Sequence, residues 1–136
     1  MSDLQRFVSA QDPIYDRVLS ELRAGRKTSH WMWFVFPQIA GLGSSPTSVK
    51  FALSGLDEAR AYLDHPILGA RLRECTAIIA ELSGYSAFDV FGGIDALKLH
   101  SSMTLFAHAA PDDPLFKTVL DRYFDAQADP NTLSRI

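Results

Sequence analysis

Two stretches of the chain carry residue types that packing alone does not demand. The first is Lys27-Thr28-Ser29-His30-Trp31-Met32-Trp33-Phe34-Val35-Phe36-Pro37-Gln38. It places both tryptophans within six consecutive residues and sets Lys27, His30 and Gln38 against the ends of that run. Indole faces can stack on a planar ring such as a nucleobase, and flanking polar groups can fix the edge of that ring. The second stretch runs from Gly93 to Phe106. At about 100° per residue, Asp95, Lys98 and Ser102 fall within about 60° of one another on a helix. Ala96, Leu99, Met103 and Phe106 border this wedge on one flank, and Ile94, Leu97 and Leu105 on the other. So narrow a polar wedge predicts a central helix with a lysine and an aspartate near the core. Such groups are costly to bury unless paired. Two uses are open. Asp95 and Lys98 can pair at i, i+3 and only fix packing, or Lys98 can offer its ammonium to an anionic ligand while Ser102 or Thr104 donates a second hydrogen bond.

Other chemistries find less support. His30, His65, His100 and His108 show no ligand-pair spacing on one helix face, since His100 and His108 lie about 80° apart, so no metal site is expected. Cys75 is the single cysteine and sits on an apolar helical stripe, where a free thiol behaves as a small hydrophobe. The segment Gly41-Leu42-Gly43-Ser44-Ser45 permits positive φ and close backbone approach, but it lacks the lysine-hydroxyl ending of a nucleotide loop.

Composition sets the frame. With 136 residues, 47% hydrophobic and 21% charged, the chain reads as one globular domain over residues 1–136. The thirteen Lys and Arg are scattered and the net charge is −3, which disfavours nucleic acid. No signal peptide and no bilayer-spanning run is read, and one cysteine agrees with a reducing compartment; the expected location is the cytoplasm.

The elements that must position these residues are helical nearly throughout. Asp12-Pro13 predicts a cap and first-turn proline for a helix that Gly25 stops. Ser54-Gly55-Leu56-Asp57 has capping-box spacing, and so has Ser86-Ala87-Phe88-Asp89. His65-Pro66 breaks one helix and precedes the clearest one, whose stripe is Leu68, Leu72, Cys75, Ile79 and Leu82. Gly92-Gly93 ends a short helix before the long one from about Ile94 to His108. Pro111-Asp112-Asp113-Pro114 caps a last long helix, and Asp129-Pro130 starts one further turn. The tryptophan run is apolar on both strand faces, so periodicity cannot assign it. With only Val49 to Leu53 as a weak partner strand, a short buried helix capped by Ser29 and stopped by Pro37 is preferred. The expected architecture is all-α, a compact single-domain bundle of about six to eight helices.

At these same stretches the chain resembles a small all-helical bacterial family of unknown function, members of which sometimes carry the automatic label "calpastatin". The resemblance rests on Phe7, Val8, Ala10 and Gln11, on Gly25 with Lys27, and on the block Ser29 to Gln38 with Gly41-Leu42-Gly43. It continues through His65-Pro66, Leu68-Gly69, Arg71-Leu72, Phe91-Gly92, Asp95, Lys98, Ser101-Ser102 and Thr104-Leu105-Phe106. The resemblance implies a compact helical domain in bacterial cytoplasm and no established activity. The calpastatin label is rejected, because such inhibitors are disordered whereas this chain has capped amphipathic helices. The candidate ligand-binding set is Gln11, Lys27, His30, Trp31, Trp33, Gln38, Asp95, Lys98, Ser102 and Thr104, gathered at one tryptophan-lined cleft. The expected ligand is a small anionic molecule of nucleotide or ADP-ribose-like type, which is bound and, if the chain is catalytic, hydrolysed with Asp95 as the acid-base group. A protein-interaction module without catalysis is the alternative. No catalytic residue, cofactor or oligomeric state is assigned.

Overall fold

The computed structural model describes residues 3–136, which form an all-α arrangement. In chain order the helices are α1 (Gln5–Gln11), α2 (Tyr15–Arg23), α3 (Met32–Val35), α4 (Pro46–Lys50) and α5 (Leu56–Asp64). They are followed by α6 (Leu68–Glu81), α7 (Ala87–Ala109), α8 (Pro114–Tyr123) and α9 (Pro130–Leu133). Nine helices among the described residues exceed the expected six to eight because α3, α4 and α9 are single turns. α7 is the centrepiece: α5, α8, α9 and α3 all pack on it, and α6 closes the layer between α5 and α8. One continuous hydrophobic cluster runs from Phe7 to Leu120.

Local chemistry explains most boundaries. Ser86 and Asp89 form the reciprocal capping box at the start of α7. Asp113 and Asp129 each accept from a backbone N–H to open α8 and α9, with proline in the first turn. Gly92, at φ 77°, lies in a region that only glycine enters cheaply and kinks α7 where the sequence predicts a helix end. Leu68, Leu72, Cys75 and Ile79 are buried on α6 as their spacing requires. Burial pushes the Cys75 thiol up to about 12, which removes it as a nucleophile at neutral pH.

Four expectations are corrected. Asp12 does not cap α2; it closes α1 instead, and its carboxylate meets Arg71 at 2.9 Å. Ser54 does not close a capping box, because Gly55 is the N-cap of α5 and Glu58 reaches back to the Ser54 N–H at 2.9 Å. Ser29 does not cap α3, which starts after Trp31, because its hydroxyl donates to Glu21 at 2.6 Å. The second flank of α7 is not core throughout: Leu105 is buried, but Ile94 and Leu97 are 73% and 69% exposed. α7 is core at Val90 and Phe91 and again from Leu99 onward, and runs at the surface between them.

The tryptophan run is helical, as preferred, yet its exit uses the weak partner segment. Ile39 and Leu53 form an isolated parallel bridge in which Ala40 N–H donates to Leu53 and Leu53 N–H to Gln38. This pairing satisfies buried backbone groups that Pro37 and the loop would otherwise leave open. No described helix is long and apolar enough to cross a membrane.

Candidate functional site

The loop between α2 and α3 is fixed before any site can form on it. Glu21 is buried, and its carboxylate accepts from the backbone N–H groups of Thr28 at 2.7 Å and Ser29 at 3.0 Å. It also accepts from the Ser29 hydroxyl at 2.6 Å and from the Trp31 indole N–H at 3.1 Å. Burial alone would raise this acid; the four donors outweigh it and hold Glu21 at about 2. Trp31 is thereby pinned with its ring 1% exposed. It is a core residue, not an accessible wall.

The same loop delivers Lys27 to α7. Its backbone N–H donates to Val90 at 2.8 Å, and its side chain is only 5% exposed. The ammonium donates to the Ser29 carbonyl, meets Asp95 Oδ2 at 2.8 Å and lies 4.9 Å from the Trp31 ring centre. Asp95 Oδ1 faces the second lysine: Lys98 Nζ is 3.4 Å away. Lys98 in turn lies 5.3 Å from the centre of the half-buried Trp33 ring. Asp95 therefore stands between two ammonium groups, each over an indole face. An indole face attracts a cation through its quadrupole, and more strongly when water is excluded.

Lys98 opens onto a groove of about 490 Å³ between the loop 42–48 and the outer face of α7. Gln38, Ser44 and Ser45 line it together with Ile94, Leu97 and Ser101 of α7, and Asp129 and Asn131 complete the lining. A smaller hollow of about 90 Å³ beside it takes Trp33 and shares Gln38, Gly43 and Ser48 with the groove. Glycine is needed in this wall. A Cβ on Gly43 would stand 2.7 Å from Ser48, and Gly41, at φ 96°, would meet the Arg135 guanidinium at 2.5 Å.

A family model described as protein of unknown function, DUF1810, matches residues 1–136 of the chain. The chain belongs to the DUF1810 family. It is also similar to the conserved hypothetical protein Rv1873 of Mycobacterium tuberculosis, known from a crystal structure. The identity is 52% and the TM-score 0.96, over 97% of this chain and 94% of that one. No curated protein matches the chain.

In this DUF1810 chain the ten candidate residues divide into separate groups. Lys27, Asp95, Lys98, Trp33 and Gln38 come together at or beside the groove. Gln11 does not: its amide donates to Phe34 O at 2.6 Å and Tyr62 at 3.0 Å, and it receives Arg71 at 3.4 Å. Thr104 donates to His100 O and accepts from Asp129 N–H, so it ties the C-terminal segment to α7. His30 is exposed on a different hollow, with Arg17, Thr28 and Phe34, which shares no lining residue with the groove. Ser102 is fully buried one turn beyond Lys98, and its hydroxyl has no hydrogen-bond partner among the described residues.

Three residues of this DUF1810 site escape sequence reasoning. Glu21 carries a readable signal, an acid on the same face as Val18 and Leu22. Ser101 and Asp129 are 28 residues apart and meet at 3.0 Å, which no local spacing announces. No group of three or more His, Cys, Asp or Glu capable of holding a metal occurs among the described residues.

Proposed function

We propose that the chain binds a small anionic molecule, of nucleotide or ADP-ribose-like type, in the groove beside Lys98. The observation that carries this reading is the lysine itself. Its ammonium lines an open groove, is steered by Asp95 and the Trp33 face, and retains donors for a ligand. Around Asp95, two ammonium groups against one carboxylate leave a local formal excess of one positive charge, which the Asp129 carboxylate balances over the groove as a whole. Partial burial makes that charge more effective than it would be in water. Lys27 is buried, with its ammonium turned to Ser29 O, Asp95 and the Trp31 ring, so it supports Lys98 rather than meeting the ligand. Hydrolysis would ask Asp95 to move a proton, and both its oxygens face ammonium groups, which supports a positioning part instead. Binding is therefore the activity proposed, and the lone buried Cys75 agrees with bacterial cytoplasm as the setting.

A screen of melting temperature against nucleotides and sugar phosphates tests the reading. Stabilisation by at least one phosphorylated compound, abolished in Lys98→Met, is expected; a flat response across the panel overturns it.

One observation favours a second reading. Phe88, Ile94 and Leu97 are exposed apolar side chains near the kink of α7. Neighbouring apolar side chains at a surface support a protein-interaction module. That module would not use the indoles, since Trp31 is core and Trp33 half-buried.

A further inference from the structure

The groove has a second pole that the binding reading leaves unused. Asp129 lines it as well; its Oδ2 accepts from Thr132 N–H at 3.1 Å and Thr132 Oγ1 at 2.6 Å and lies 3.0 Å from Ser101 Oγ, whose single hydrogen is shared with Leu97 O at 3.1 Å. The backbone N–H of Asp129 is itself fixed on Thr104 Oγ1 at 2.9 Å. Carboxylate and backbone are thus held rigidly, while the other oxygen, Oδ1, has no partner among the described residues. A carboxylate oriented in this way, with lone pairs to spare, is an acceptor for hydroxyl donors; ribose recognition by a single acidic side chain works on this chemistry.

The spacing to the cationic pole is set by α7. Ile94, Leu97, Lys98 and Ser101 share its outer face, and Lys98 and Ser101 are three residues apart, which puts their side-chain roots about 5–6 Å from each other. Asp129 is attached to Ser101. An ammonium and a fixed carboxylate at neighbouring turns, with Ser44, Ser45 and Asn131 around them, match a molecule with an anionic end and a hydroxylated end.

We propose that the ligand of this groove contains a pentose phosphate unit with a free vicinal diol, its phosphate on Lys98 and its diol on Asp129 Oδ1. The inference rests on the anion-binding reading of the same groove and adds the sugar to it. The phosphate cannot sit at the other pole, where the Asp129 carboxylate repels it. A diol can accept from the Lys98 ammonium but carries no charge to match it, so the phosphate gains more at that pole. Asp129 acts as the binding residue, and Ser101, Thr132 and Thr104 as positioning residues that hold it.

Calorimetric titration of the full chain with ribose 5-phosphate, 2-deoxyribose 5-phosphate, methyl phosphate and phosphoethanolamine tests it without any mutation. Ribose 5-phosphate is expected to bind roughly tenfold or more tightly than its 2-deoxy analogue, since a hydrogen bond to a charged group is lost. Methyl phosphate should bind more weakly still. Ser101→Ala, which frees Asp129 to turn, should shrink the ribose-to-deoxyribose ratio while leaving methyl phosphate binding unchanged. Equal affinity for the two pentose phosphates overturns the diol assignment and leaves the anion groove standing. Tighter binding of phosphoethanolamine than of ribose 5-phosphate also overturns it, by showing that Asp129 takes an ammonium. Failure of all four to bind overturns the groove reading and this inference together.

Discussion

The Nζ of Lys27 lies 2.8 Å from Oδ2 of Asp95, tying the loop ahead of α3 to the first turn beyond the α7 kink. The contact joins residues 68 positions apart in a chain where most helix contacts are between neighbours or near-neighbours in sequence. It also divides the labour between the two lysines. Lys27 is sealed in, whereas Lys98 keeps a longer bond to the same carboxylate and faces the groove.

That division predicts unequal costs. Lys27→Met removes the closer and more buried partner of Asp95 and should destabilise the fold by about 2 kcal/mol; Lys98→Met, at a half-open pair, should cost about 1 kcal/mol or less. Urea unfolding of the two variants measures the difference. Equal costs would mean that the contact between Lys27 and Asp95 adds no more to the fold than the pair that Asp95 makes within α7.

Glu21 gives the fold an acid limit. Its folded-state value of about 2 lies below the ordinary 4.5, so the stabilisation it provides is fully present above about pH 5 and is lost as pH falls through 2. With solvent screening allowed for, that stabilisation is on the order of 1–3 kcal/mol at neutral pH. Unfolding free energy measured between pH 7 and pH 2 should fall accordingly, and Glu21→Gln should flatten that part of the profile. An unchanged slope in the variant would assign the acid sensitivity to other carboxylates.

Ser102 carries a different expectation. A buried hydroxyl without a partner costs about 1–3 kcal/mol, so Ser102→Ala should leave stability unchanged or raise it by about 1 kcal/mol. A clear loss of stability, read by thermal unfolding, would show that the hydroxyl is satisfied in solution.

The end of α8 offers one more test. Ala126 sits at φ 62° with its N–H on the Leu120 carbonyl, a left-handed closure of the helix that a Cβ disfavours. Ala126→Gly should raise stability by about 0.5–1 kcal/mol. A lower melting temperature would contradict the strain.

Local signals were legible where cap, stripe and turn residues agree. The α6 stripe, the Ser86–Asp89 box and the Asp-Pro starts of α8 and α9 follow from spacing alone. Asp12 and Ser54 misled because a better partner lay elsewhere: Arg71 for the first, and Glu58 at the next position for the second. The polar wedge of α7 announced Asp95 and Lys98, but not that Gln11 and Thr104 serve packing while Lys27 reaches Asp95. Hydrogen bonds to Tyr62 and the Asp129 backbone decide those roles, and both are tertiary. The exposed Ile94–Leu97 flank was also beyond periodicity, which cannot tell a groove wall from core.

The most direct test is a nuclear magnetic resonance titration of the full chain with ribose 5-phosphate, followed through backbone amide shifts. Saturable changes are expected at Gly43, Ser44, Lys98 and Ser101, with Thr28 and His30 unmoved. Changes centred on His30 and Arg17, or none at concentrations far above millimolar, would contradict the groove as the binding site.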